Sequence, residues 1–213
     1  MSDTEQNRPN TQEKKRLALQ AALGCFTQHG LAGTTIDMIR EASGMSVGSL
    51  YHHFGNKEKI AAALYIQGLR NFGSLVKCYL SELPPHDKTA ESGVKALVYA
   101  NVDWISTEPD WARFVFHHRS LLSQDLLPKE KKEDKVQREL KGFSFDLVQW
   151  FTPHIVSGNL KTMPYELFSS AISGPTHDYA RHWLAGRYNE PLLTYREEFA
   201  DMAWQSVKGK KQS

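Results

Sequence analysis

The sequence predicts an all-α protein of about nine helices, on three observations. Apolar residues recur at i, i+3, i+4 and i+7 along most of the chain, glycine, proline and capping residues punctuate those stripes, and no stretch shows the alternation of a convincing strand. With 213 residues, 40% of them hydrophobic, the chain can bury a substantial core as one large domain or two small ones.

Residues 1–12, with Pro9 among them, are polar, have little to bury and are expected to form a disordered arm. A first helix is predicted from about Glu13 to His29, with Leu19, Ala22, Leu23 and Phe26 on one stripe and Gly30 as its stop. Thr34 or Thr35 caps a short second helix whose Ile36, Ile39 and Ala42 keep to one side, and Asp37 stands where a capping-box acid to Thr34 belongs. Gly44 supplies a turn, and Ser46 caps a third helix anchored by Leu50 and Phe54. Asn56 caps a longer fourth helix through Leu64, Leu69, Phe72 and Val76 to about Leu83, ended by Pro84-Pro85.

Val94, Leu97, Val98, Asn101, Val102 and Ile105 then share one helical face, and Pro109 is placed to open the next helix. Residues 129–141 mix bases with acids as a solvated helix face leading into Phe143, Leu147, Trp150, Phe151 and His154, closed by Ser157-Gly158-Asn159. Two helices end the chain. One carries Tyr165, Phe168, Ile172, Tyr179 and Trp183 and is expected to bend at Gly174-Pro175; the other is predicted to start with a Thr194–Glu197 capping box and to show Phe199, Met202 and Ala203 on one side.

Composition narrows the function classes. The longest apolar stretches, such as Ile60 to Ile66, are too short to cross a bilayer, and the polar start lacks the apolar block of a signal peptide, so a cytoplasmic protein without a membrane partner is expected. Cys25 and Cys78 are expected as buried, reduced thiols. His117-His118, His154, His177 and His182 have no spacing that converges on one ion, so no metal is expected. Nucleophile motifs, phosphate-binding glycine loops and dinucleotide fingerprints are missing too, which argues against an enzyme and against a cofactor.

Between Thr34 and Lys57 the pattern is a braced short helix, a glycine turn and a capped second helix, which is a helix-turn-helix. Such a unit presents the early residues of its second helix to base edges in the major groove. On that geometry Val47, Gly48, Ser49, Tyr51 and one or both of His52 and His53 face DNA, with Ser46 at the helix start. Helix starts at Thr35 and Asn56 aim free amides at phosphates, and Lys57 adds a charge. Net charge is only +2, so recognition is expected to rest on geometry with local help from Lys14, Lys15, Arg16 and Lys57. A three-helix core element with no DNA role is the plain structural alternative.

The run Thr-Thr-Ile…Glu-Ala-Ser-Gly-Met-Ser-Val-Gly-Ser-Leu-Tyr-His-His-Phe-Gly-Asn-Lys-Glu, from Thr34 to Glu58, resembles the signature of the TetR family of bacterial transcriptional regulators, with Phe26 and Gly30 also in register. The resemblance covers roughly the first quarter of the chain. It implies a helix-turn-helix DNA-binding domain at 13–58, a divergent ligand-binding and dimerisation domain at 59–208, and a homodimer on double-stranded operator DNA. By the same resemblance Thr35, Val47, Gly48, Ser49, Tyr51, His53 and Lys57 fall where members contact the operator. The chain departs from the family's pattern at Val47, Asp37 and Arg40.

Two readings of the larger region stay open. Its aromatics fill a core and a dimer interface, or Trp104, Phe114, Phe143 and Trp150, with Asn101 and His118, line an apolar cavity with polar handles. Phe168, Ile172, Tyr179, Trp183, Phe199 and Met202 are the expected dimer contacts, in a four-helix bundle made with a second copy. The reading is a ligand-responsive repressor released from DNA by a small apolar or aromatic effector. The runner-up is a helical small-molecule-binding or adaptor protein that no longer binds DNA.

Overall fold

Gly30 interrupts the first helix, α1 (Thr11–Gly33), with a positive φ of 67° that glycine adopts freely. The computed structural model describes residues 11–118 and 146–210, so residues 1–10, 129–141 and Phe143 lie outside it. Helix α1 starts at Thr11, two residues ahead of the expected boundary. After it come α2 (Ile36–Ser43), α3 (Val47–Phe54), α4 (Lys57–Glu82), α5 (Ala90–Thr107), α6 (Pro109–His117), α7 (146–156), α8 (Tyr165–Leu184) and α9 (Arg196–Val207). The fold is all-α, and among the described residues the only strand-like pairing is an isolated bridge between Leu160 and Lys208. None of the described helices is long and apolar enough to cross a membrane.

The described residues form two compact units, 11–67 with 117–118, and 68–116 with 146–210. In the first, Ala18, Ala22, Leu23, Cys25 and Phe26 of α1, Ile39 of α2, Leu50 of α3 and Ile60, Ala61 and Leu64 of α4 are buried. Burial also pushes the Cys25 thiol above its ordinary pKa, as expected of an inert core cysteine. Cys78 departs from expectation: it lies on the outer face of α4, exposed, donating to Glu82 Oε1 at 3.1 Å.

In the second unit Val76 and Leu80 of α4 pack with Ala96 and Ala100 of α5, flanked by Leu147 and Trp150 of α7. The Trp150 ring lies directly on the backbone of Gly93, where a Cβ would run into it. Gly93→Ala is therefore expected to destabilise the protein by about 1–3 kcal/mol through overpacking, read as a lower urea midpoint.

Two boundaries differ from the sequence expectation. Helix α9 begins at Arg196 after a 3-10 turn, Leu192–Tyr195, and no side chain caps it. The expected box fails because the Glu197 carboxylate accepts instead from Tyr99 Oη at 2.6 Å. Helix α9 buries Phe199, Ala203 and Val207 at i, i+4 spacing, which turns Met202 outward at 52% exposure. Helix α8 runs through Pro175 and buries Ile172, Thr176 and Ala180 at the same spacing.

Candidate nucleic-acid interface and effector region

The helix-turn-helix is assembled by local hydrogen bonds. Thr34, fully buried, donates its hydroxyl to the carbonyls of Cys25 (3.0 Å) and Gly30 (2.8 Å), and its backbone N–H also reaches the Gly30 carbonyl at 3.1 Å, which ties the entry of α2 to the break in α1. Thr35, and not Thr34, caps α2 by accepting from Met38 N–H at 3.2 Å. Asp37 is thus freed from capping and pairs with Arg40 at 3.4 Å, and Arg40 also holds Glu41 at 2.9 Å. Gly44 ends α2 in the left-handed conformation (φ 67°, ψ 9°), and its N–H closes on the Arg40 carbonyl. Ser46 caps α3 by accepting from Ser49 N–H at 3.2 Å, and Asn56 caps α4 by accepting from Lys59 N–H at 2.8 Å. Each cap contributes about 1 kcal/mol.

Leu50 is 1% exposed and fixes α3 by its inner face. Its neighbours fall into an accessible strip: Thr35, Ser46, Gly48, Tyr51 and His52 are exposed, and Val47, Ser49 and His53 are half-buried. Tyr51 is 52% exposed. The rings of His52 and His53 touch, with centroids 5.2 Å apart. Desolvation, followed by the charges of Lys15, His52 and Lys14, holds the His53 pKa below its ordinary value.

Lys57 has a different environment from the one expected. Its ammonium donates to the carbonyls of Thr34 at 2.9 Å and Ala32 at 3.4 Å, tying the start of α4 to the entry of α2. The signal was in the sequence only as a helix-terminal lysine; its partners lie 23 and 25 residues away.

Of the six residues weighed for an effector cavity, Phe143 lies outside the described residues, and Trp150 sits apart from Trp104. Asn101 and Phe114 are buried, and Asn101 exchanges a 3.0 Å hydrogen bond with His177 Nε2 on α8. Trp104 is buried with its ring against Phe72, centroids 5.6 Å apart. Trp150 sits instead on Gly93, eleven residues and about 16 Å of helix from Trp104. His118 follows α6, half-buried, its pKa lowered by desolvation and then by His117. An open cleft of about 230 Å³ lies beside Trp150, between Lys77, Leu80, Lys88 and Asp146.

Of the expected dimer residues, Ile172 and Phe199 are buried within the single chain. Phe168 packs on Phe151, and Tyr179 stacks among Tyr188, Tyr195 and Phe199 while donating to the Glu190 carbonyl at 3.0 Å. Trp183 is half-buried, and Met202, Tyr165 and Leu167 are open. Among the described residues no group of His, Cys, Asp and Glu could hold a metal ion.

Sequence reading missed the cluster at the base of α9. Arg196 donates to both oxygens of Asp103 (2.9 and 3.0 Å) and to Tyr79 Oη (3.1 Å), and stacks 3.9 Å from the Tyr99 ring centroid. Tyr79 in turn donates to Asp103. Burial and the bond to Glu197 push the Tyr99 hydroxyl up to about 12.

A braced α2, a left-handed glycine turn and a capped α3 with an accessible leading face define a helix-turn-helix protein. Residues 18–64 match the family described as "Bacterial regulatory proteins, tetR family". One stretch is 48% identical over 46 residues to the HTH-type transcriptional repressor AcnR of Corynebacterium efficiens, covering 22% of this chain and 24% of that relative's length. The whole fold resembles a TetR family transcription regulator of Marinobacter aquaeolei VT8 (TM-score 0.70, 18% identity, 92% of this chain and 96% of that one). It also resembles the transcriptional regulator FadR of Bacillus subtilis, solved with stearoyl-CoA (TM-score 0.66, 18% identity, 90% and 98%). Residues 18–64 thus resemble the DNA-binding segment of TetR family regulators, the described residues share those regulators' fold, and the chain matches about a quarter of the length of the Corynebacterium relative.

Proposed function

We propose that the chain is a cytoplasmic transcriptional repressor that binds a palindromic operator as a homodimer and is released by a small, mainly apolar effector. One observation carries this reading: the capped α3 is fixed by Leu50 while Gly48, Tyr51 and His52 stay accessible on its other faces. The repressor name of the Corynebacterium relative and the acyl-CoA bound to the Bacillus regulator support it. Domains at 13–58 and 59–208 would divide reading from sensing. The open Tyr165 and Leu167 of α8 and Met202 of α9 offer apolar surface to a second copy. Release is a population shift, and an effector preference of about 1–3 kcal/mol changes operator affinity about 5- to 150-fold.

The test is a gel-shift assay on the DNA upstream of the chain's own gene, with the mass of the species measured by sedimentation. A retarded band at dimer stoichiometry is the expected result; no retardation on that DNA or on a genomic fragment library sinks the reading. The second reading, a sensor that no longer binds DNA, draws on Arg40 and Lys57, whose charges are already engaged within the protein.

The histidines supply a pH signature. His53 is held neutral at ordinary pH, and protonation adds charge beside Lys14 and Lys15, where a phosphate would welcome it. Operator affinity is therefore expected to rise as pH falls from about 7.5 to about 5.5, with the salt dependence steepening by about one counterion per protonated ring. A parallel titration of His53→Gln should lose that increment, and an unchanged pH profile rejects the assignment.

A further inference from the structure

Buried polar groups in folded proteins almost always find partners, because an unpartnered one loses its water without compensation. Among the described residues, four buried side-chain groups have no hydrogen-bond partner, Thr27 Oγ1, Trp104 Nε1, Ser106 Oγ and Thr176 Oγ1, and of these Trp104 and Thr176, 5% and 0% exposed, stand beside one polar contact between α5 and α8. A helical threonine ordinarily returns its hydroxyl to a carbonyl one turn back, and Thr176 does not. Each group lies within three residues, along its own helix, of a partner in one hydrogen bond. Asn101, three residues before Trp104 on α5, is hydrogen-bonded to His177, which follows Thr176 on α8. The flanks are aromatic: Phe72 lies against Trp104, and Phe116 lies on the His177 ring at 4.9 Å.

We infer that this α5–α8 seam binds the oxygen of an uncharged, mostly apolar molecule such as a ketone or ester. An indole N–H only donates, a hydroxyl donates or accepts, and both therefore suit a carbonyl oxygen entering between aromatic walls. A carboxylate does not fit. The cationic side chains of α5, α6, α8 and α9 (Lys95, Arg113, Arg181 and Arg196) each already hold a carboxylate of the protein. The inference rests on the reading that the larger domain senses a small effector, and it names the chemistry of that effector.

The whole protein is titrated with three probes of equal carbon number, methyl heptyl ketone, nonane and nonanoate, followed by ligand-observed NMR. Relative to its partitioning from water into hexadecane, the ketone is expected to bind roughly ten times more tightly than nonane, the ratio that one well-placed hydrogen bond supplies, and in absolute terms roughly ten times more tightly than nonanoate. Thr176→Val and Trp104→Phe should each lower ketone affinity about fivefold and leave nonane unchanged. Thr176→Val should at the same time raise the melting temperature of the unliganded protein, since it removes an orphaned hydroxyl at nearly constant volume. A residue with a purely structural role would not combine a more stable fold with weaker binding.

Equal affinity for ketone and nonane after correction for partitioning, tighter binding of nonanoate, or ketone affinity unmoved in both variants overturns the inference. So does the absence of binding by any probe, which would mean that buried water satisfies the two groups. Because binding is measured without DNA, a ketone that binds here and leaves the operator complex intact would reject the repressor reading alone. An operator complex released by a ligand that Thr176→Val does not weaken would reject the inference alone.

Discussion

A protein carrying both Ser49→Ala and Tyr51→Ala is expected to fold normally and to bind its operator roughly 100-fold more weakly than the native chain. The two side chains flank the buried Leu50, one on either side of α3. Ser49 spends only its backbone N–H, on the Ser46 cap, which alanine preserves. Tyr51 is half exposed and leaves the burial of Leu50 untouched when truncated. Each is expected to contribute about 1–3 kcal/mol if it meets a base edge or a phosphate, and contacts at separate positions add approximately. The measurement is operator affinity at fixed salt alongside the thermal midpoint. Unchanged affinity with an unchanged midpoint would falsify the assignment of this strip. Lys57→Ala makes an instructive contrast, because its ammonium bridges two carbonyls of the α1–α2 junction. That variant should lose stability as well as affinity.

The second large effect belongs to the base of α9. Asp103→Ala is expected to cost about 2–4 kcal/mol of folding stability, read from urea denaturation. The substitution strands Arg196 between Tyr79 and Tyr99 with only the Glu197 carboxylate, 3.8 Å away, to offset its charge, and the side chains of the broken pair are only about a quarter exposed, 26% and 22%. Partial exposure places the effect below that of a fully buried pair. Replacing both partners with leucine should recover part of the loss, since two desolvated charges then disappear together. If Asp103→Ala costs less than about 0.5 kcal/mol, the cluster is a surface ion pair in energetic terms.

Local chemistry was legible in the sequence and distant chemistry was not. Ser46 and Asn56 are small polar residues placed immediately before apolar stripes, and the structure uses both as caps. Gly30 and Gly44 announce their turns because few other residues adopt a positive φ without strain. The cap of α2 fell on one of two adjacent threonines, and sequence could not choose between them; the choice is made by Thr34 being drawn inward to Cys25 and Gly30. The start of α9 was misread for a similar reason, since Glu197 was available to a tyrosine 98 residues earlier. The Tyr79, Asp103 and Arg196 cluster joins residues up to 117 positions apart, beyond the reach of any periodicity. Thr176 escaped notice because an apolar stripe was sought, whereas the buried face of α8 is defined by spacing and includes a hydroxyl.

The face of α2 carries Asp37, Arg40 and Glu41 as one interlocked trio, two acids sharing one base. Such a surface projects little field beyond a Debye length of about 8 Å at physiological salt. This face, with two acids to one base, adds no long-range pull toward a polyanion, and if the chain binds DNA as proposed an encounter without steering would run at about 10⁵–10⁶ per molar per second. How long it remains on any one stretch of DNA, and not how quickly it gets there, would then decide which stretch it occupies.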